Sequence, residues 1–231
     1  MRIPVRVVLT VSIAVALATP AAALTIDNFE EGDFNNWTDD QSPGSSSFEL
    51  SGLSGANVVG GVRMGRIQTT GSVAATGAAV LATTGLDDGA VLSTVGVPDG
   101  TSNFTFIYDG IADLLTNGTG GALNLNVSAF THLNITSTTV NVTANTQLIL
   151  FDSTTAGASA ITPLANGVTS ISLLGLGVNL SNVKAIHILV TGIDLLEAPI
   201  VSDFSFVAVP EPGSALLVAA GVAVLAIRRR R

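Results

Sequence analysis

The chain has 231 residues, 47% of them hydrophobic and 11% charged, and a formal net charge of −8. It has no cysteine and only His132 and His187 as imidazoles, 55 positions apart. That excludes a disulfide framework, thiol chemistry and cysteine metal sites, and it leaves no helical histidine pair for a transition metal. Residues 24–209 hold three basic and sixteen acidic side chains, a formal charge of −13. Such a surface excludes nucleic-acid binding, which needs a basic patch. It suits an extracellular setting and divalent cations.

Met1–Ala23 reads as a secretory signal peptide. Arg2 and Arg6 form the positive start, Val7–Ala18 is the apolar stretch, and Pro20 breaks that helix. Ala21-Ala22-Ala23 supplies a small-residue cleavage site after Ala23.

The ectodomain, residues 24–208, opens on a short strand in which Leu24 and Ile26 alternate with Thr25 and Asp27. Glu31-Gly32-Asp33 turns the chain, and Trp37, the sole tryptophan, is expected to anchor the core. The pattern Asp27-x-Phe29-Glu30-x-Gly32, followed by Trp37, resembles the opening of jelly-roll β-sandwiches of the galactose-binding and carbohydrate-binding-module type. In that family an early Glu and an Asp on the final strand help to hold a structural calcium. The resemblance implies Glu30 and Asp203 as calcium ligands, and first and last strands lying side by side would let them converge. The other reading of both is a solvated acid in a loop or turn.

Ser47–Leu50 reads as a short strand inside a Ser- and Gly-rich loop. A further strand holds Arg63 and Arg66, the only arginines of the ectodomain. Arg63 reads either as an ion pair within the sandwich or as an outward charge, and Arg66 as an outward charge. Ala78–Thr83, Ala90–Val95 and Asn103–Tyr108 read as strands, the last with Phe104, Phe106 and Tyr108 on one face. The strongest alternation lies at 122–128, where Leu123, Leu125 and Val127 are interleaved with Asn124, Asn126 and Ser128. Leu148–Phe151 suits a central strand, and Ile171–Leu176, Lys184–Val190 and Asp203–Val209 complete the set. His187 falls on the face opposite Ile186 and Ile188, where it reads as a solvated strand residue. Strands at this spacing with Gly, Asn, Asp and Ser turns predict an all-β fold, a single jelly-roll-like β-sandwich.

The chain ends in Pro210-Glu211-Pro212, an apolar run Ala215–Ile227 and Arg228, Arg229, Arg230 and Arg231. The two prolines enforce an extended spacer, and Ser214 can cap a helix. Thirteen apolar residues span about 20 Å, short of a bilayer core of about 30 Å unless residues 214–227 and the arginine stems extend them. The positive-inside rule leaves the arginines cytoplasmic and the ectodomain outside. Residues 209–231 resemble the PEP-CTERM sorting signal, which has the same tripeptide, transmembrane helix and arginine cluster in that order. The resemblance implies recognition by a membrane exosortase during export. Gly60-Gly61-Val62-Arg63 is similar to a strand found in bodies that carry such tails.

No Gly-x-Ser-x-Gly elbow and no phosphate loop is present, and nothing in the local sequence positions a nucleophile beside either histidine. No catalytic residue and no bound cofactor other than calcium is expected. The expected protein is therefore a non-enzymatic one, an exported envelope or extracellular-matrix protein with a structural or adhesive role. Its partners would be the exosortase, the secretion machinery, the membrane and a polysaccharide of a biofilm. A calcium-stabilised carbohydrate-binding module is the alternative, and a secreted hydrolase of unrecognised type the third reading. Exposed aromatics on one sheet face would favour the module. Two convergent carboxylates in a cleft, or a His near a Ser, would favour the hydrolase.

Overall fold

A computed structural model describes residues 23–37, 45–70, 75–81, 89–96, 101–112, 120–139, 142–194 and 197–208. The expected leader through Ala22, and the tail from residue 209 with its Pro-Glu-Pro motif, apolar helix and arginines, lie outside the described residues. Among the described residues no helix is long and apolar enough to cross a membrane. The strands are β1 (Ala23–Asp27), β2 (Phe34–Trp37), β3 (Ser45–Ser51), β4 (Val62–Thr70), β5 (Ala75–Leu81), β6 (Ala90–Gly96), β7 (Thr101–Tyr108), β8 (His132–Thr138), β9 (Asn145–Phe151), β10 (Ala156–Ala158), β11 (Thr162–Pro163), β12 (Gly167–Ser172), β13 (Ala185–Ile193) and β14 (Ile200–Val207). A 3-10 turn at Val59–Gly61 leads into β4.

Two sheets form, and every strand pairing in them is antiparallel. Sheet A runs β12-β8-β14-β6-β5-β2, with β1 also on β14; sheet B runs β10-β9-β13-β7-β4-β3, with β11 also on β9. Period-two alternation puts one face of each inside. Sheet B contributes Phe104, Phe106 and Tyr108 from β7, Leu148 and Leu150 from β9, and Ile186, Ile188 and Val190 from β13, all buried. Sheet A answers with Leu133 and Ile135 of β8 and Phe204 and Phe206 of β14. Phe29 bridges the layers, its ring edge-on to Phe106 at 5.6 Å and to Phe204 at 5.3 Å, the arrangement that ring quadrupoles favour. Residues Ala22–Val209 form one compact unit.

The first and last strands do lie side by side, β1 against β14. Two expectations shift. The alternating stretch at 122–128 is no strand: it meets the segment before β13 through the isolated bridge Leu125 to Val183 and through the N–H groups of Leu123 and Val127, which donate to Lys184 O and Leu180 O, and Asn124 takes a φ of +50° that breaks the pleat. Its apolar side chains still pack on the core while Asn124 and Asn126 are exposed, so periodicity recorded burial without a ladder. The strand expected at Ile171–Leu176 is displaced to β12, because Ser172 Oγ accepts the Leu174 N–H and starts a turn. The Trp37 side chain lies outside what the structure describes.

Candidate functional site

Two constellations of polar side chains stand out, one inside the sandwich and one on its surface. The interior one begins with a β-bulge. Thr25 pairs with Ser205, yet Asp27 pairs with Phe204, so one residue of β1 is surplus. That slip turns Asp27 onto the inner face. There it meets Arg63 of β4: Nε lies 2.5 Å from Asp27 Oδ2 and Nη2 lies 2.6 Å from Oδ1, with both side chains fully buried. Arg63 Nη1 donates to the carbonyls of Glu31 at 2.7 Å and Gly32 at 3.0 Å, and the guanidinium sits over the Phe29 ring at 5.0 Å. Tyr108 Oη donates to Asp27 Oδ2 at 2.8 Å. The Phe29 N–H donates to Asp27 Oδ1, which helps to hold Phe29 at a φ of +56°, a costly conformation for an aromatic residue. Burial opposes the charge on Arg63, but the hydrogen bonds and charge of Asp27 outweigh it and raise its pKa above the usual arginine value. Burial, reinforced by the Asp27 charge, pushes the Tyr108 phenol well up, so it stays a neutral donor. Arg63 is thus the ion pair of the two readings that the sequence left open.

The suggested calcium ligands sit differently. Glu30 is exposed in the turn after β1, its N–H donating to Asn28 Oδ1 at 3.2 Å. Asp203 is on the outer face of β14, next to inward Phe204, and accepts a hydrogen bond from Ser205 Oγ at 2.8 Å. Burial, with the Asp27 charge added, raises its pKa above the usual carboxylate range. Calcium takes roughly six to eight oxygens. Among the described residues no three of the His, Asp and Glu side chains gather where a metal ion could sit. Asp27, the carboxylate that β1 brings to β14, already serves a guanidinium. Arg63 binds the carboxylate and carbonyl oxygens of the 27–32 turn that a hard cation would seek.

The surface constellation lies on the face of sheet B turned away from sheet A. Register places residues in rows across it. Met64, Ile107, His187 and Ile149 form one row, and Ser47, Arg66, Thr105, Leu189 and Gln147 the next. Ser45 and Gln68 begin a third. All of these but Met64 and Gln147 line a cleft of about 440 Å³, with Ile107, Ile149 and Leu189 as its apolar floor and Arg66, Gln68, His187 and hydroxyls as its polar groups. His187 is on the face expected, but it is only partly exposed. Its ring lies 4.5 Å from that of Phe151, and Nε2 is buried with no hydrogen-bond partner. Desolvation lowers its pKa to about 4 against the opposing pull of Asp109, so it is neutral at physiological pH. Arg66 is exposed, the outward charge expected of it. Sequence reasoning had no means of seeing the cleft, because its members come from strands far apart in the chain.

Residues 208–231 match the PEP-CTERM protein-sorting motif, which marks an exported protein anchored in the membrane in transit. The fold is similar to the family 11 carbohydrate-binding module of the cellulosomal cellulase Lic26A-Cel5E of Clostridium thermocellum, at 14% identity over 84% of this chain and 98% of that one, with a TM-score of 0.40. It is similar also to the Clostridium thermocellum family 11 module in complex with a β-1,3-1,4-mixed-linked tetrasaccharide, at 11% identity over 84% and 99% of the two chains, with a TM-score of 0.41. A family 29 carbohydrate-binding module from Piromyces equi matches at 11% identity over 76% and 91%, with a TM-score of 0.33. No curated protein matches the chain.

Proposed function

We propose that this is an exported, exosortase-sorted binding protein of the cell envelope or matrix, whose sheet-B cleft holds a segment of polysaccharide. The cleft carries the reading: an apolar floor beside hydroxyl, amide and imidazole groups is what a sugar ring needs, with one face for its C–H surface and donors and acceptors for its rim. The sorting motif supports delivery to the compartment where such chains occur. A structural or adhesive role in a biofilm follows from joining the two.

The same geometry supports a non-catalytic role. Ser47 and His187 both line the cleft, but their strands are three strand spacings apart, about 14 Å. A nucleophile and its base need hydrogen-bond reach. No carboxylate is among the lining residues, so the paired acids of glycoside hydrolysis are not assembled there.

Affinity electrophoresis of the exported protein through gels containing matrix polysaccharide tests the reading. Retardation is expected, and Thr105→Trp, which fills the cleft, should abolish it. Val168→Trp, on an exposed position of β12, should not. Equal mobility of all three proteins with and without polysaccharide would overturn the proposal.

A further inference from the structure

We infer that the sugar chain taken by the cleft is an acidic one, and that Arg66 reads its carboxylate. The inference rests on the cleft being a polysaccharide site and names the class of chain. It starts from the small number of cations. Of the three basic side chains between residues 24 and 209, Arg63 is buried on Asp27, and Lys184 is held by Asn124 Oδ1. Arg66 is the third. It is exposed, it lines the cleft, and among the described residues it makes no ion pair. An arginine that pairs with no acid among the described residues is poorly explained as a stabilising charge. The outward Glu49 lies one row away, diagonally across β3, and does not pair with it.

The surroundings fit a carboxylate. The planar guanidinium fork matches two carboxylate oxygens, which a hydrated ammonium does not. The other polar groups of the cleft are neutral: Gln68, the hydroxyls of Ser47 and Thr105, and the imidazole of His187. These suit sugar hydroxyls. Arg66 and His187 are two strands and two residues apart, about 12 Å. That span exceeds one sugar ring, so a chain rather than a single sugar engages both.

Calorimetry of the exported protein with polygalacturonate, with its methyl ester and with a neutral β-glucan tests this. The ester keeps the backbone and removes only the charge. Polygalacturonate should bind, and esterification should weaken binding by roughly tenfold to a hundredfold, the range for a hydrogen bond to a charged group. Arg66→Gln should bring acid and ester to equal affinity while its melting midpoint stays at the parent value. Equal binding of acid and ester by the parent protein, or a preference for neutral glucan, would overturn the acidic class and leave the polysaccharide reading standing. An acid-over-ester preference that survives in Arg66→Gln would remove Arg66 from the role. Failure to bind any of the three chains, in a protein that also passes unretarded through matrix polysaccharide, would overturn both readings.

Discussion

Asp27 holds the interior together through three partners: Arg63, the Tyr108 hydroxyl and the Phe29 N–H. Asp27→Ala leaves a buried guanidinium without its counter-charge, and breaking such a pair costs about 3–5 kcal/mol. Tyr108→Phe removes one donor from a carboxylate that keeps Arg63, so a smaller loss of about 1.5–3 kcal/mol is expected. Urea denaturation midpoints check both, and an Asp27→Ala loss no larger than that of Tyr108→Phe would contradict the network. Arg63 was visible in the sequence as one of two alternatives. Its partner was not, because regular alternation points Asp27 outward and only the bulge reverses it. His187 was placed on the correct face, but pairing alone does not reveal that Phe151 lies against it and that its Nε2 is buried. That burial has a pH consequence. A histidine whose folded pKa is about 4, against 6.5 unfolded, contributes stability that is complete above about pH 6.5. It is lost as pH falls from there to about 4, by on the order of 3 kcal/mol at most. Thermal midpoints of His187→Gln should lack that decline, and a parallel decline in the variant would assign the slope to other groups.

Among the elements, the turn after β9 depends on a side chain rather than on apolar contacts. Asp152 accepts from the N–H groups of Thr154, Thr155 and Asn179 and from both threonine hydroxyls, which ties the β9–β10 turn to the loop before β13. Those donors, Asn179 first, hold its pKa well below the usual carboxylate range. The stability it contributes is therefore present above about pH 4 and is lost as pH falls further toward its folded value. Asp152→Ala should speed hydrogen exchange at Thr154, Thr155 and Asn179 while amides of β13 keep their protection. Unchanged exchange at all three amides would show that the turn is held by other means. The turn of residues 27–32 is tied down by Arg63 instead, so excess chelator should leave the melting midpoint unchanged, whereas Arg63→Met should lower it. A chelator-induced drop restored by calcium would return Glu30 and Asp203 to consideration. A strand with strict alternation, such as β7, was legible because one face is core and the other is not. The stretch at 122–128 alternates as cleanly without being a strand, since alternation reports which side chains are buried and says nothing of whether the backbone finds a full ladder.

The whole molecule places two opposing fields around the cleft. The sorting tail was legible because its parts are contiguous, and the charge of −13 on residues 24–209 was legible from composition, but the place of Arg66 in the cleft emerged only from the strand pairing. An acidic body repels an acidic chain at long range, while Arg66 attracts it at contact. Salt separates the two by distance. At about 0.01 M salt the screening length is about 30 Å and the chain meets the summed repulsion of the body. At about 0.15 M it shrinks to about 8 Å, so distant acids are screened while the guanidinium–carboxylate contact persists. Near 1 M, with a screening length of about 3 Å, the exposed contact weakens as well. Polygalacturonate affinity should therefore pass through a maximum at intermediate salt. A basic polyanion binder behaves otherwise, its affinity falling monotonically as counterions are released. Calorimetric titrations across this range check the prediction. A steady fall from the lowest salt upward would show that a larger basic surface than Arg66 meets the chain, and a steady rise to 1 M would show that apolar contacts with the floor, not the carboxylate, hold it.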